Sequence, residues 1–485
     1  MKEIFSGFYN RLKKNPEDTF IFSSTTKLSF VEFLKLSEKI EKQIEPKSFV
    51  PIIIDNKIQS LLLIFNIWSN KSAAVPLSVR LNANEILNIV RYHKFKRILI
   101  DEEIFENYSA IRKEIQLKRI KKILPPLEEK DFLENSIERL TISQKENISL
   151  IMHTSGSEGT PKGAVHSFET LSHSANMSNS FIQSSYEDRW LLSLPIYHIG
   201  GFMIFYRALV HGNQIVIPDS LSTESLIKAI DRFKPTLISL TPTQLKRMFD
   251  ANYVVPSSVR IIFIGGGPSS NELIKKALNN KYPIAKVYGS TETSSMITVA
   301  NEDILKLNPA SSGIPLPGVN LKINKFPNSN EGDILVKSPS LFLNYLNMPI
   351  ETKMSFEKGY YKTGDIGEID AVGSLIVLSR RSDLIISGGE NISTYEVESA
   401  IKTHPLVADA FVFSFEDYEW GQIVCAAVEL KFKEALQEEQ LKSYLKKKIS
   451  SFKIPKRFYF IDKIPKNEIG KIEKKELFKI LNLDS

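Results

Sequence analysis

Between residues 49 and 278, short apolar runs alternate with stretches whose apolar side chains recur at helical spacing, and no other feature narrows the fold as much. A strand at 49–55 precedes a helical pattern at 60–68, further strands are expected at 73–77 and 98–101, and a strand at 149–152 leads to a helix at 167–182. The runs RWLLSLPIY, NQIVIPD, TLISLTP and RIIFIGGG then alternate with helices carrying FMIFYRALV, 222–233, 244–249 and 271–278. Repeated strand and helix imply doubly wound sheets, whose ligands gather beyond the carboxyl ends of the strands. Three clusters fall at such ends: 195–201, 265–268 and 288–292.

The remainder of the chain reads differently. Residues 112–146 are charged, carry Pro125 and Pro126, and are expected to cross the surface. Beyond Pro309, short strands such as GDILV and GEIDAVGSLIVLS punctuated by Gly and Pro suggest a β-subdomain. A charged junction at 379–383 precedes a helix at 395–402, strands at 408–413 and 422–430, and a helix at 440–449. The expected fold is therefore α/β, with a large N-terminal domain of doubly wound sheets with a β-subdomain (1–378), a hinge (379–383) and a small C-terminal α+β domain (384–485).

Composition excludes several function classes. The last 55 residues hold fifteen Lys/Arg against eight Asp/Glu, which accounts for the whole net charge of +7. Those lysines are interleaved with Leu, Ile and Phe and form no recognisable nucleic-acid module, so a basic lid over phosphates or a solvated lysine face fits better than a nucleic-acid partner. A single cysteine, Cys425, within IVCAAVEL rules out an intramolecular disulfide and a thiolate metal cluster, and is expected to be a buried strand residue. No apolar run approaches a membrane span, and charges interrupt the first 20 residues, so a cytoplasmic location is expected.

The chemistry is concentrated in a few stretches. HTSGSEGTPKGAVH (153–166) packs Thr154, Ser155, Ser157, Gly156, Gly159, Gly163 and Lys162 between an apolar strand and a helix. Successive backbone N–H groups there can turn toward an anion while Lys162 adds a point charge; an ordinary flexible loop is the alternative. In YGSTET (288–293), Tyr288 can stack on a base, Thr291 can bond a phosphate and Glu292 can hold Mg²⁺ bridging phosphates, although the same residues suit a capped helix start. Asp365 in YKTGD (361–365) can accept two ribose hydroxyls, or merely cap a hairpin turn.

The first stretch lacks the G-x-x-x-x-G-K-[ST] order of a Walker loop. It resembles instead the ATP-phosphate loop of the adenylate-forming superfamily of acyl-CoA synthetases, luciferases and peptide-synthetase adenylation domains; Glu158 stands where those enzymes carry Thr or Ser. Y-G-x-T-E at 288–292, with Gly289 and Ser290 inside it, and Y-x-T-G-D at 361–365 resemble two further signatures. The junction is similar to the family's hinge motif, with Ser379 for the usual glycine, Arg380 on the ribose-contacting position and Ser382 on the pivot; Gly388 and Gly389 match the loop that approaches the thioester-forming site. PKNEIGK (465–471) resembles the C-terminal turn that presents a lysine, here Lys471, to the reacting carboxylate and α-phosphate.

This resemblance implies a carboxylic-acid substrate activated with ATP and Mg²⁺ as an acyl-adenylate and then passed to CoA, with the small domain moving between the steps. Homo-oligomerisation is compatible with it. LPIYHIGGFMIFYRAL, LISLTPTQLKRMF and IIFIGGGPSSNELI resemble 2-succinylbenzoate–CoA ligases of menaquinone biosynthesis; fatty- or aryl-acid ligases and carrier-protein-loading enzymes are the alternatives. His198 is then a pocket residue near the substrate carboxylate or a packing residue. Arg207 pairs with a second substrate carboxylate or makes a structural salt bridge. Gly265, Gly266 and Gly267 let adenine approach the backbone, opposite Tyr288.

Overall fold

The computed structural model describes residues 3–40, 44–55, 57–79, 81, 83–121, 147–154, 162–267, 269–380, 384–387, 390–417, 421–432, 436–449, 451–468 and 470–483. The alternation produces two doubly wound sheets. In the first, the strands Ile148–Thr154, Ala73–Pro76, Phe49–Ile53, Arg97–Asp101 and Gln116–Ile120 run parallel in that spatial order, and Lys162–Ser167 and Asn344–Tyr345 extend it antiparallel at one edge. The second has nine strands, with a parallel centre formed by Thr19–Phe22, Gln214–Val216, Arg189–Leu191, Leu237–Leu240, Ile261–Ile264 and Ile284–Ser290. Antiparallel Ser295–Ala300 and Ile314–Pro315 close one edge, and Lys27–Ser29 the other.

One apolar core joins the sheets. Helix Lys57–Ser69 is apolar around most of its circumference and is buried along ten residues. Helices of this kind sit between layers rather than at a surface. Its Phe65 and Trp68 pack with Phe5, Phe8, Phe33, Phe202, Phe205 and Tyr206 in a cluster that draws residues from both sheets, and the Trp68 indole N–H donates to the Ser149 carbonyl at 2.8 Å. Helix Ile199–His211, at least as apolar, lies in the same core.

The β-subdomain is a five-stranded sheet of Asn320–Lys325, Gly332–Lys337, Phe356–Glu357, Tyr360–Ile369 and Leu375–Arg380. Among the described residues, the strands from residue 384 on pair with one another: Leu384–Ser387, Glu390–Ser393, Val407–Asp417, Gly421–Leu430 and Arg457–Ile461, with helices Thr394–Lys402, Glu438–Leu445 and Lys474–Ile480. Cys425 is fully buried there, and burial pushes its thiol up to about 11. No helix among the described residues is long and apolar enough to cross a membrane.

One expectation about elements is corrected. The glycine-rich stretch does not pass directly from strand to helix, because Lys162–Ser167 is itself a strand paired with Ile148–Thr154, and helix Phe168–Ile182 starts only after it, with Ser167 as its N-cap. The loop therefore joins two paired strands rather than a strand and a helix. The stretch expected to cross the surface from residue 112 contains the edge strand Gln116–Ile120, most of whose side chains are exposed or half-exposed, while residues 122–146, with Pro125 and Pro126, lie outside the described residues.

Candidate active site

The N-terminus of helix Pro242–Asp250 is where the loops converge. Thr241, its N-cap, accepts from the Gln244 backbone N–H and lies next to Gly266. The Gln244 amide donates to the Ser193 carbonyl at 2.9 Å, fixing the loop that runs into 195–201. Thr243 packs against the backbone of Gly470. Lys471 therefore follows a turn seated beyond the carboxyl ends of the nine-stranded sheet. The turn is held internally: Gly470 N–H donates to the Asn467 carbonyl at 2.9 Å, Lys471 N–H to Asn467 Oδ1 at 2.9 Å, and Asn467 N–H to the Lys471 carbonyl at 2.8 Å.

The three glycines after strand Ile261–Ile264 differ. A Cβ at Gly265 would meet Val287 Cγ2 at 2.7 Å, Gly266 holds a φ of +78°, and around Gly267 the space is open. Open space is what a ligand approaching the backbone needs. Tyr288, on the neighbouring strand, donates its hydroxyl to Asp365 Oδ2 at 2.7 Å, and Asp365 is 5% exposed. The backbone of Asp365 lies opposite Arg380 across the adjacent strand pair. A stacked base and a bound ribose would thus share one tethered pair of residues.

After Tyr288 the chain forms a hairpin, not a helix start. Ser290 N–H donates to Thr293 Oγ1 at 2.8 Å, and Ser294 and Ser295 adopt φ values of 56° and 98°. Two successive non-glycine residues in the left-handed region store strain that the surroundings must hold. Ser294 is held by His166 and Ser340: its Oγ donates to the Ser340 carbonyl at 2.7 Å and lies 3.0 Å from His166 Nδ1. Since the hydroxyl has one proton to give, His166 Nδ1–H is the donor. Burial pushes His166 down to about 3, so the ring stays neutral. Ser290 Oγ is buried and has no hydrogen-bond partner among the described residues, which leaves it available to a ligand.

Glu292 is 9% exposed, and its Oε1 accepts from the Tyr345 hydroxyl at 2.8 Å. Burial, with the Glu292 charge as second cause, pushes the Tyr345 phenol far above its ordinary value, so it remains the donor. The Lys162 ammonium lies 5.3 Å from the centroid of the same tyrosine ring. Thr154 faces Lys162 across the base of the hairpin. No cluster of three or more metal-ligating side chains occurs among the described residues. A single carboxylate suits Mg²⁺, which takes most of its ligands from water and phosphate oxygens.

Arg207 is 1% exposed, with Nε donating to Ser178 Oγ at 2.8 Å, Nη2 to Ser295 Oγ at 3.3 Å, and its guanidinium 5.5 Å from the Trp190 ring centroid. Burial pushes its pKa down to about 9, and no described carboxylate forms a salt bridge with it. The structural salt bridge weighed from sequence is therefore absent among the described residues. A buried cation without a counter-charge is costly, and it marks a place where an anion would be stabilised. His198 lies at the N-cap of the helix that carries Arg207, half-buried and with its ring centroid 4.9 Å from that of Tyr197. Ser155, Gly156, Ser157, Glu158, Gly159, Ser382, Gly388 and Gly389 lie outside the described residues. Sequence reasoning missed the roles of Tyr345, Thr243 and His166; Thr243 and His166 lie inside stretches singled out above, but no pattern marked what they touch.

The chain belongs to the AMP-binding enzyme family: the family's main model matches residues 8–346, and its C-terminal domain matches residues 396–471. The 2-succinylbenzoate–CoA ligase of Bacillus subtilis is 29% identical to it over 479 residues, 96% of each chain. The solved o-succinylbenzoate CoA synthetase of Bacillus subtilis in complex with its acyl-adenylate intermediate superposes with a TM-score of 0.86 at 28% identity, covering 97% of both chains. The same enzyme in complex with ATP and magnesium ion gives 0.85 at 28% identity, covering 97% of this chain and 98% of that one.

Proposed function

We propose that this chain is a 2-succinylbenzoate–CoA ligase: it activates the acid with ATP as an acyl-adenylate and transfers the acyl group to CoA, releasing pyrophosphate and AMP. The observation that carries the substrate assignment is Arg207, a buried guanidinium reaching Ser295 on the underside of the 288–295 hairpin with no described acid beside it. An acid with a second carboxylate supplies the missing charge; a fatty or simple aryl acid does not. The similarity to 2-succinylbenzoate–CoA ligases along nearly the whole chain supports the same reading.

In the first half-reaction a carboxylate oxygen of the substrate attacks the α-phosphorus of ATP, and the bond to pyrophosphate breaks. Lys471 lies on the negative charge shared by the carboxylate and the α-phosphate, while Lys162, Thr154 and the 155–159 loop hold the β and γ end. Thr291 bonds the α-phosphate, and Glu292 would hold Mg²⁺, which would supply neutralisation of the phosphate charge. Tyr288 stacks on adenine against Gly265, Gly266 and Gly267, and Asp365 with Arg380 takes the ribose. His198 and Ser290 orient the substrate. In the second half-reaction the CoA sulfur attacks the carbonyl carbon and AMP leaves. Residues 384–485 form a lid that turns about 379–383, with Ser382 as pivot, withdrawing Lys471 and bringing Gly388 and Gly389 to the CoA path.

The test compares 2-succinylbenzoate with benzoate in CoA-dependent AMP release by the wild type and Arg207→Leu. The variant is expected to raise KM for the diacid by about 100-fold, the scale of a buried charge pair losing one member, while leaving the trace activity on benzoate unchanged. Equal losses on both acids would remove Arg207 from the substrate site. Transfer to a carrier-protein phosphopantetheine in preference to free CoA would refute the acceptor.

A further inference from the structure

Among the described residues, the Tyr345 side chain touches both Glu292 and Lys162, the two charged groups expected at the metal–triphosphate site. It sits in a two-stranded ladder with its backbone opposite Ala164, two residues beyond Lys162, so the edge strand that carries it lies along the phosphate hairpin itself. Its own N–H donates to Thr352 Oγ1 at 2.9 Å, and its ring is clamped by Phe342, with centroids 4.7 Å apart, and by Tyr361 and Met348 in a small buried cluster. A side chain fixed on so many sides has few rotamers left. One end of it donates to Glu292 Oε1 at 2.8 Å, and its face carries the Lys162 ammonium at 5.3 Å.

We infer that Tyr345 is a positioning residue that couples the phosphate-loop lysine to the metal-binding carboxylate. Its hydroxyl pins Oε1 of Glu292 and so presents Oε2 toward the site where the metal–phosphate complex forms, while its ring sets the height of Lys162 above the same site. A hydrogen bond to an ionised carboxylate in a buried place is strong and directional, and a cation held over an aromatic face keeps its charge free for phosphate. The phenol keeps its proton throughout, so no proton moves in this arrangement. The inference rests on the adenylation chemistry proposed above and adds to it a residue that no sequence signature marks.

The test separates hydroxyl from ring, using Tyr345→Phe and Tyr345→Leu. Binding of Mn²⁺ to the full-length protein with α,β-methylene-ATP is read by electron paramagnetic resonance, beside the Mg²⁺ dependence of ATP–pyrophosphate exchange. Tyr345→Phe is expected to weaken nucleotide-dependent Mn²⁺ binding, and to raise the half-saturating Mg²⁺ concentration, by about tenfold, with KM for ATP at saturating Mg²⁺ changed less than about threefold. Tyr345→Leu should add a rise of about threefold or more in that KM as Lys162 loses its ring. In a Glu292→Gln background the Phe substitution should have no further effect on Mn²⁺ binding. Unchanged Mn²⁺ binding and Mg²⁺ requirement in Tyr345→Phe overturn the inference, as does a uniform fall in kcat and thermal stability at constant metal affinity. Wild-type protein that binds Mn²⁺ equally with and without the nucleotide overturns the adenylation reading itself.

Discussion

Replacing Gly470 by alanine tests whether the C-terminal turn must be seated for acyl-AMP to form. Gly470 has a φ of +79°, and a Cβ built there would come within 2.3 Å of Thr243 Oγ1 and 2.9 Å of Thr243 Cβ. The left-handed conformation alone costs a non-glycine residue about 1–2 kcal/mol. That is a factor of about 5–30 in the population of the seated turn. The collision adds to it, because Thr243 Cβ is fixed by the first turn of helix Pro242–Asp250 and cannot swing aside. If the small domain turns as proposed, the collision disappears once Gly470 leaves Thr243, whereas the backbone cost stays with the internally bonded turn and bears on thioester formation only through general stability. ATP–pyrophosphate exchange driven by 2-succinylbenzoate should therefore fall at least about tenfold. Thioester formation from supplied acyl-AMP and CoA should fall less than about twofold. Adding Thr243→Gly should restore part of the exchange, since it removes the collision and leaves the backbone cost. Undiminished exchange in Gly470→Ala refutes the seat on Thr243; equal losses in both half-reactions point to general damage instead.

Lys471→Ala is expected to lower acyl-AMP formation by about 10²–10³-fold while leaving thioester formation from supplied acyl-AMP nearly intact. Persistent pyrophosphate exchange would withdraw the catalytic role from this lysine. A different perturbation concerns acid stability. Burial pushes His93 down to about 4 and His153 to about 3, and the two rings lie with centroids 5.2 Å apart and no hydrogen-bond partner on any of their nitrogens among the described residues. The unfolded chain therefore binds more protons than the folded one between about pH 4 and 6.5, and stability must fall as pH drops through that window. His153→Phe should raise Tm at pH 5 more than at pH 7.5 when followed by differential scanning calorimetry; an equal shift at both would deny that protonation is the cause.

How much of this was visible in the sequence depended on how local each signal was. The parallel strands announced themselves because both their faces are buried and they read as apolar runs, as with LISL and IIFI. Arg207 stood out for a similar reason, a lone charge inside FMIFYRALV. Strand Lys162–Ser167 was hidden because it begins with lysine and glycine, and hairpin Thr19–Phe22 with Lys27–Ser29 because its partner strand lies nearly 200 residues on, at Gln214–Val216. Tyr345 and Glu292 are 53 residues apart, and Thr243 meets Gly470 only after the whole chain has folded. Such pairings leave no periodicity to read. The absence of a salt bridge at Arg207 among the described residues is likewise a property of packing, so sequence left it open and geometry decided it among those residues.

The central claim is that one active site joins a dicarboxylic aryl acid first to AMP and then to CoA. The most direct measurement incubates the purified protein with 2-succinylbenzoate, ATP and Mg²⁺, and follows the products by mass spectrometry before and after CoA is added. The account predicts 2-succinylbenzoyl-AMP and pyrophosphate in the first interval, and 2-succinylbenzoyl-CoA with an equal amount of AMP in the second. Absence of the adenylate, or release of ADP and phosphate in its place, contradicts it.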